Sequence, residues 1–589
     1  MIGTYAAVAV VCGAPLAIGQ AALALCGVRR WSWLSPAVGL ALLGALCWGA
    51  VRLPGEGVAA AIAVAVFAVT SLWFLRGRVE GTGEALRAGW PVALVALLAA
   101  SLPFAVEGHF GILGTSFNPD MSQHLLATDR LVDGFGSQLL NQGYPLGPHA
   151  IVVALHGGLG IGLVQGFDGL TVAVAVLAPL TALAAFAELR PLPRSAAALV
   201  VGLAYVVASY FAQGAFKETT QALFLLAFVL ALRQTGRDGW QSLPLRFLPA
   251  ALIAAGSIYV YSFPGLIWLA AALGIWLALE RALPLRPFLL GLFAFAVLVA
   301  PEIGRMIDFQ SFETFDPSGP GLGNLFGQVS PFEALGIWPS GDFRLAPGDG
   351  AVPAAGYYLG IAFALALLIH GAVQCWRRCE SAILAGLGAV ALVYLGARLG
   401  GTPYAAAKAI EIAAPIVALT ILLPLLGPAG RLCIPMGDKV APSALRALVA
   451  GVFMFAAGAC SLLALANAPV GPTSYASTLT GLRPIVAADS TLILASPQLL
   501  EEEHGTPYLA WELRGGRVCI ASAAEARDAP PPGVRFVITE GGGGQAPFAG
   551  LRLHRPAGPY VLWEVTDPIS GDSRCPLIAV RQARQGPAR

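Results

Sequence analysis

The chain has 589 residues, of which 57% are hydrophobic and only 12% charged, with a formal net charge of +2 and a mean hydropathy of +0.74. A soluble domain carries about 25% charged residues, so this composition excludes a soluble globular enzyme and requires a polytopic membrane protein. The basic residues are scattered over loops, which leaves no patch suited to nucleic acid.

A crossing of the hydrocarbon core needs about 20 apolar residues, and the first windows of that kind fall near 4–27, 33–52, 57–75 and 89–106. The first has no basic stretch before it and reads as a retained helix rather than a cleaved signal. The loop 107–167 follows. It contains SFNPDMSQHLL (116–126), in which Asp120 and His124 stand one turn apart if a helix begins at Asn118 and Pro119. Then come HLLATDRLVDG, with Asp129, Arg130 and Asp133, and QGYPLGPHA, with His149. The run 149–166 is broken by glycines and carries His149 and His156, so it is expected to be a re-entrant or interfacial helix that does not cross.

Further windows lie near 168–187, 195–213, 219–233, 246–262, 264–281, 286–302, 354–373, 380–398, 404–426 and 445–467, which makes fourteen. Arg29 and Arg30, Arg76 and Arg78, Arg190 and Arg194, Arg233 and Arg237, Arg281 and Arg286, Arg377 and Arg378, and Arg431 with Lys439 fall in every second connection. Basic short loops are cytoplasmic, so 107–167, the loop 303–351 and the tail from 468 are expected outside the cytoplasmic membrane. The alternation holds only if 149–166 does not cross.

Lysine is the rare cation here: 217, 408 and 439 are the only three among 35 basic residues. Lys217 and Lys408 stand at the outer ends of helices, in QGAFKETTQALF and GTPYAAAKAIEIAAP, each with an acid nearby (Glu218 and Glu411). Ionisable groups at the mouth of a transmembrane segment are costly and face a cavity more often than lipid. With Arg398 on the same side, they suit the phosphate or diphosphate of a lipid-anchored ligand. The loop 303–351 supplies DFQSFETFDP and ALGIWPSGDFR, whose aromatics with Asp316 and Asp342 resemble a lid. Trp338 is a candidate sugar contact, while Tyr357 and Tyr358 fit an interfacial belt.

From 468 the composition changes. TLILASP, VRFVITE and PYVLWEV read as short strands between Gly- and Pro-rich turns, giving a small extracytoplasmic α/β or β-rich domain. Seven of the nine cysteines lie in or beside apolar segments, and Cys375 and Cys379 of CWRRC have no zinc-pattern partners. Cys519 and Cys575 are the tail's own pair, free to bond in an oxidising compartment. The expected organisation is therefore N-terminal helices 1–87, a membrane core 88–467 and the tail 468–589.

NPDMSQH, YPLGPHA, FKE, PYAAAKA with Pro415, and LGIWPSGDFR together resemble the glycosyltransferase C (GT-C) superfamily, and within it a type of actinobacterial membrane protein. The resemblance spans 88–467. It implies an integral-membrane enzyme that takes a sugar from a polyprenyl-phosphate donor and passes it, with inversion, to an extracytoplasmic glycan, lipid or protein acceptor. By position in the motifs it implies Asp120 as general base, with His124 orienting it or touching the acceptor. Lys217, Arg398 and Lys408 would hold donor phosphate, with Glu218, Glu411 and Tyr404 supporting them, and His149, Trp338 and Asp342 would contact acceptor or sugar. Two features depart from the pattern. Three helices precede the one entering the Asp120 loop, and Asp120 has no adjacent acid, so no paired-carboxylate metal site is expected. The residues alone also leave open a transporter or lipid-linked-glycan flippase, or a membrane-anchored scaffold.

Overall fold

The computed structural model describes residues 1–115, 117–118, 120–133, 142–237, 240–280, 283–311, 321–350, 352–427, 443–473, 477–487, 489–496, 505–523, 532–541 and 546–566. Arg281, Asp316, Arg431, Cys433, Lys439 and Cys575 lie outside the described residues. The chain divides into two compact units, Met1–His109 with Gln138–Val470, and Phe110–Ser137 with Gly471–Arg589. The second unit therefore takes in the Asp120 segment as well as the tail.

The first unit is helical. Among the described residues ten helices are long and apolar enough to cross a membrane, or eleven if the pair Pro191–Gly202 and Tyr205–Ala212, bent by 53°, is one span. The fourteen sequence windows exceed that number for physical reasons. Ser35–Ala50 is apolar but has only 16 residues. Phe216–Thr235 carries Lys217, Glu218 and Arg233 within its length. The windows 246–262 and 264–281 run into one helical element, Leu248–Leu279, interrupted at Ser262 (φ 58°, ψ −159°). Such a backbone is unfavourable for a side-chain-bearing residue, and here it reverses the chain. The rings of Phe247 and Trp276 lie 5.9 Å apart, against the roughly 43 Å that continuous helix would put between them at 1.5 Å per residue. The element is thus two antiparallel arms with YSFPG at the tip, where Pro264 cannot continue the first arm.

Burial sorts the helices. Leu163–Phe186 and Pro403–Leu426 are buried along most of their length, whereas Glu56–Leu75 and Leu285–Asp308 have few buried residues. A helix apolar all round belongs in an interior or against lipid, and both kinds are present. Phe216–Thr235 packs against Leu163–Ala182 and Pro403–Leu426, so the two lysine-bearing helices run side by side through the interior. Small residues allow close helix approach. A side chain on Gly39 would meet the Pro15 carbonyl, and one on Gly19 the Ser35 carbonyl. Gly147–Leu159, the expected non-crossing run, is a helix of 13 residues, about 20 Å long. It ends at Gly160 in the left-handed conformation.

The second unit holds a five-stranded sheet in the order Arg517–Ser522, Ser490–Ala495, Phe536–Glu540, Tyr560–Val565, Leu551–Ala557. The first three strands are parallel and the last two antiparallel. Side chains alternate between faces. Ile493, Ile520, Ile538 and Leu562 pack with Leu479, Leu509 and Leu513 on one face, while Leu492, Leu494, Val537 and Trp563 form a core on the other. Burial on both faces explains why these strands read as continuous apolar runs. Cys519 is disulfide-bonded.

Candidate functional site

Two helix starts build the cluster in the membrane unit. Thr402 caps Pro403–Leu426, its hydroxyl accepting from the Ala405 N–H at 3.1 Å, and Lys408 follows within the next two turns. Lys408 Nζ lies 2.9 Å from Glu218 Oε1, with side-chain exposures of 15% and 6%, and 4.2 Å from the centre of the Tyr404 ring. Glu218 belongs to the start of Phe216–Thr235, so the pair ties the two helices together.

Lys217, beside it, stands 4.2 Å over the Tyr144 ring, a cation–π contact. Tyr144 opens the YPLGPH motif, which therefore meets the FKE motif in space. His149 of the same motif is fully buried. Its ring sits edge-on to Tyr144, Phe167 and Phe216 at 6.1, 5.6 and 5.7 Å. Arg305 Nη2 donates to the Tyr144 carbonyl at 2.5 Å. Arg305 also lies 3.5 Å from Glu302, whose Oε1 accepts from Trp48 Nε1 at 2.8 Å and Arg52 Nη2 at 3.0 Å.

Behind the lysines the polar groups continue inward. Glu411 is fully buried, and among the described residues neither of its carboxylate oxygens has a hydrogen-bond partner. The same is true of the buried Tyr210 hydroxyl. Tyr210 and Tyr261 both lie within electrostatic reach of Lys408, Glu218 and Glu411. Tyr261 is at the tip of the helix reversal, and Gln221 holds that tip. Its Nε2 donates to the Gly265 carbonyl at 2.8 Å, and its Oε1 accepts from the Ser257 hydroxyl at 2.7 Å. Gln221 thereby clamps both arms one turn along from Lys217 and Glu218. Sequence reasoning missed Tyr144, Tyr210, Gln221 and Tyr261. A usable signal existed for Gln221, which shares a helix face with Lys217 at i+4.

The other expected contacts have interior partners. Asp342 is forked by Arg344, with Nη2–Oδ2 at 2.7 Å and Nε–Oδ1 at 2.9 Å, and Arg344 stacks on Phe326. Trp338 is 1% exposed and packs edge-on to Tyr357 at 5.0 Å. Arg398 is exposed at the end of Ser381–Gly400. The loop beside Tyr404 is fitted closely: the Tyr404 N–H donates to the Gly321 carbonyl at 3.0 Å, and a side chain at Gly323 would strike the Tyr404 ring.

Glu333, in the short turn Pro331–Leu335, is 1% exposed. Burial pushes its carboxyl well above the ordinary value of 4.5, and Asp342 adds to the effect. The neutral acid therefore contributes stability that is complete below the ordinary value and is lost as pH rises through the raised folded one. Glu333→Gln keeps the shape without the titration. Relative to wild type, its melting temperature should climb by a few degrees between about pH 5 and about pH 9, which a thermal-unfolding series checks.

Asp120 begins the helix Asp120–Asp133 in the second unit. Asn118 Oδ1 accepts from the Asp120 N–H at 3.0 Å, the local turn expected of Asn at a helix start. Asp120 is exposed and His124, one turn on, is buried. The tail holds this helix in place. It packs on Gly505–Glu512, Leu126 rests on the sheet core, Arg130 donates to the Gly516 carbonyl, and Asp129 lies 3.8 Å from Arg514. Among the described residues no group of three His, Cys, Asp or Glu side chains is placed to hold a metal ion.

No protein-family model matches the sequence, and no curated protein matches it. Solved structures do. The arabinofuranosyltransferase AftD from Mycobacteria aligns over 82% of this chain with 16% identity and a TM-score of 0.51. This chain spans only 40% of that one. ArnT from Cupriavidus metallidurans, bound to undecaprenyl phosphate, aligns over 84% of this chain and 100% of its own at 12% identity and a TM-score of 0.48. The archaeal oligosaccharyltransferase AglB from Archaeoglobus fulgidus, in complex with an inhibitory peptide and a dolichol-phosphate, covers 77% of this chain and 70% of its own at 13% identity and 0.43. The first of these likenesses establishes the fold alone: the chain is a multi-pass membrane protein that shares its architecture with that arabinofuranosyltransferase structure.

Proposed function

We propose that the protein is a membrane glycosyltransferase that moves a sugar from a polyprenyl-phosphate donor to an extracytoplasmic glycan, lipid or protein. The observation that carries this reading is the pair Lys217 and Lys408, set at adjoining helix starts within a GT-C fold. An ammonium group is a compact point charge suited to phosphate. Lys217 stands over the Tyr144 ring, and Lys408 is paired with Glu218. An arriving donor phosphate competes with Glu218 for Lys408.

In the reaction an acceptor hydroxyl oxygen attacks the anomeric carbon as the carbon–oxygen bond to phosphate breaks. The electron pair leaves with the polyprenyl phosphate, and Asp120 takes the acceptor proton. In-line displacement inverts the anomeric carbon. A base needs an accessible carboxylate within about 3 Å of the hydroxyl, and the exposed Asp120 at a helix start supplies an accessible one. The lysines offset charge that grows on the departing phosphate.

Polyprenyl-phosphate binding to purified protein tests the donor side. Lys217→Met should weaken it roughly ten-fold, the worth of one charge-assisted contact, with little change in melting temperature. Unchanged affinity would remove Lys217 from the donor site.

A further inference from the structure

At the far ends of the two lysine-bearing helices lies a second collection of cations. A cavity of 210 Å³ is lined by Glu188, Arg233, Arg237, Arg378 and Glu380, with apolar walls that include Phe186 and Leu423. Lys217 and Arg233 are separated by 16 residues of one helix, about 24 Å. Lys408 and Leu423 are separated by nearly as much along the other. No single phosphate can touch both ends.

The guanidinium groups here are not equally occupied. Arg233 is saturated: Nε and Nη2 fork onto Glu380 at 2.6 and 2.5 Å, and Nη1 reaches the Ala185 carbonyl at 3.5 Å. This consumes the Glu380 charge and closes off one helix C-terminus, a structural task. Arg237 and Arg378 are left over. Among the described residues the Arg237 guanidinium has loose ion pairs, at 3.8 Å to the exposed Glu188 and 3.9 Å to Glu380, and exposed pairs of that kind hold weakly. Arg378 gives one Nη2 contact to the Pro424 carbonyl at 3.4 Å. Its Nε is buried, with no partner among the described residues. A buried N–H left without an acceptor costs free energy, so Arg378, with the loosely paired Arg237 beside it on the same cavity, offers donors to an anion.

We infer that this cavity binds a phosphate group through Arg237 and Arg378. Guanidinium forks match phosphate oxygens in pairs, and basic pockets between transmembrane helices at the membrane surface take lipid headgroups. The site differs from the one bearing Lys217 and does not depend on sugar transfer. Two sources share this chemistry, an anionic phospholipid and free phosphate.

The test uses the full chain in detergent, with phosphatidylglycerol counted by native mass spectrometry and inorganic phosphate followed by thermal shift. Arg237→Gln/Arg378→Gln should bind its phosphate ligand roughly ten-fold or more weakly than wild type. Arg78→Gln, an exposed arginine bonded to its own helix at the Phe74 carbonyl, should bind like wild type. Retention of phosphatidylglycerol without response to phosphate assigns a lipid headgroup, and response to phosphate alone assigns the soluble ion. If the double variant does not fold, Glu188→Gln serves instead, because removing that carboxylate should tighten binding. Equal binding by wild type and the variant tested, or no binding of either probe to wild type, overturns the inference.

Discussion

Asp120→Asn should leave the protein folded and lower sugar transfer by roughly 10²–10⁴-fold, the usual contribution of a positioned general base. The two parts of that result are separable because Asp120 is exposed and its structural work is done by its backbone. The Asn118 side chain bonds the Asp120 N–H, not its carboxylate, and an asparagine keeps that bond. What is lost structurally is a negative charge in the first turn of a helix, about 0.3–1 kcal/mol. The helix remains fixed to the tail through Leu126, Arg130 and Asp129. An unchanged melting curve with collapsed turnover is the expected pair of measurements. Turnover at the wild-type rate would end the case for Asp120 as base.

Lys408→Met carries the second large effect, and it falls on stability as well as function. Glu218 is 6% exposed and bonded to Lys408 at 2.9 Å, so removing the ammonium group strands a carboxylate in the interior. Breaking a buried pair from one side costs about 3–5 kcal/mol. Lys408→Met/Glu218→Gln removes both charges and should recover most of the melting temperature, since the loss comes from the orphaned partner rather than the pair. Donor binding should not recover, because the cation is still missing. A double variant that regained polyprenyl-phosphate affinity would make Lys408 a purely structural residue. Thermal unfolding and lipid binding measured on the same preparations decide between these outcomes.

Local features of this architecture were legible in the sequence, and pairings across it were not. Pro264 separated the windows 246–262 and 264–281, and the structure reverses the chain within two residues of that proline. TLILASP, VRFVITE and PYVLWEV each became a strand because their period and their turn-rich flanks are short-range properties. Lys217 and Lys408 stood out by scarcity alone. Partners were a different matter. Glu218 adjoins Lys217 in the chain, yet its 2.9 Å bond is to Lys408, 190 residues away, a choice made by packing between two interior helices. The Asp120 helix belongs to a unit whose sheet begins at Ser490, and nothing near Asp120 announces that. Trp338 looked like a sugar platform because Trp suits both stacking and burial. Its environment, set by Tyr357, places it in the interior. In each case the missing information was which distant surface a side chain would meet.

The central claim is transfer from a lipid-phosphate donor. The most direct measurement supplies purified protein, reconstituted in bilayers, with a labelled polyprenyl-phosphate sugar and cell-envelope glycan acceptors, and follows both products. The expected result is label on the acceptor with inverted anomeric configuration, an equal amount of free polyprenyl phosphate, and loss of both with Asp120→Asn. Donor lipid bound or moved across the bilayer with its sugar still attached would contradict it and identify a transporter.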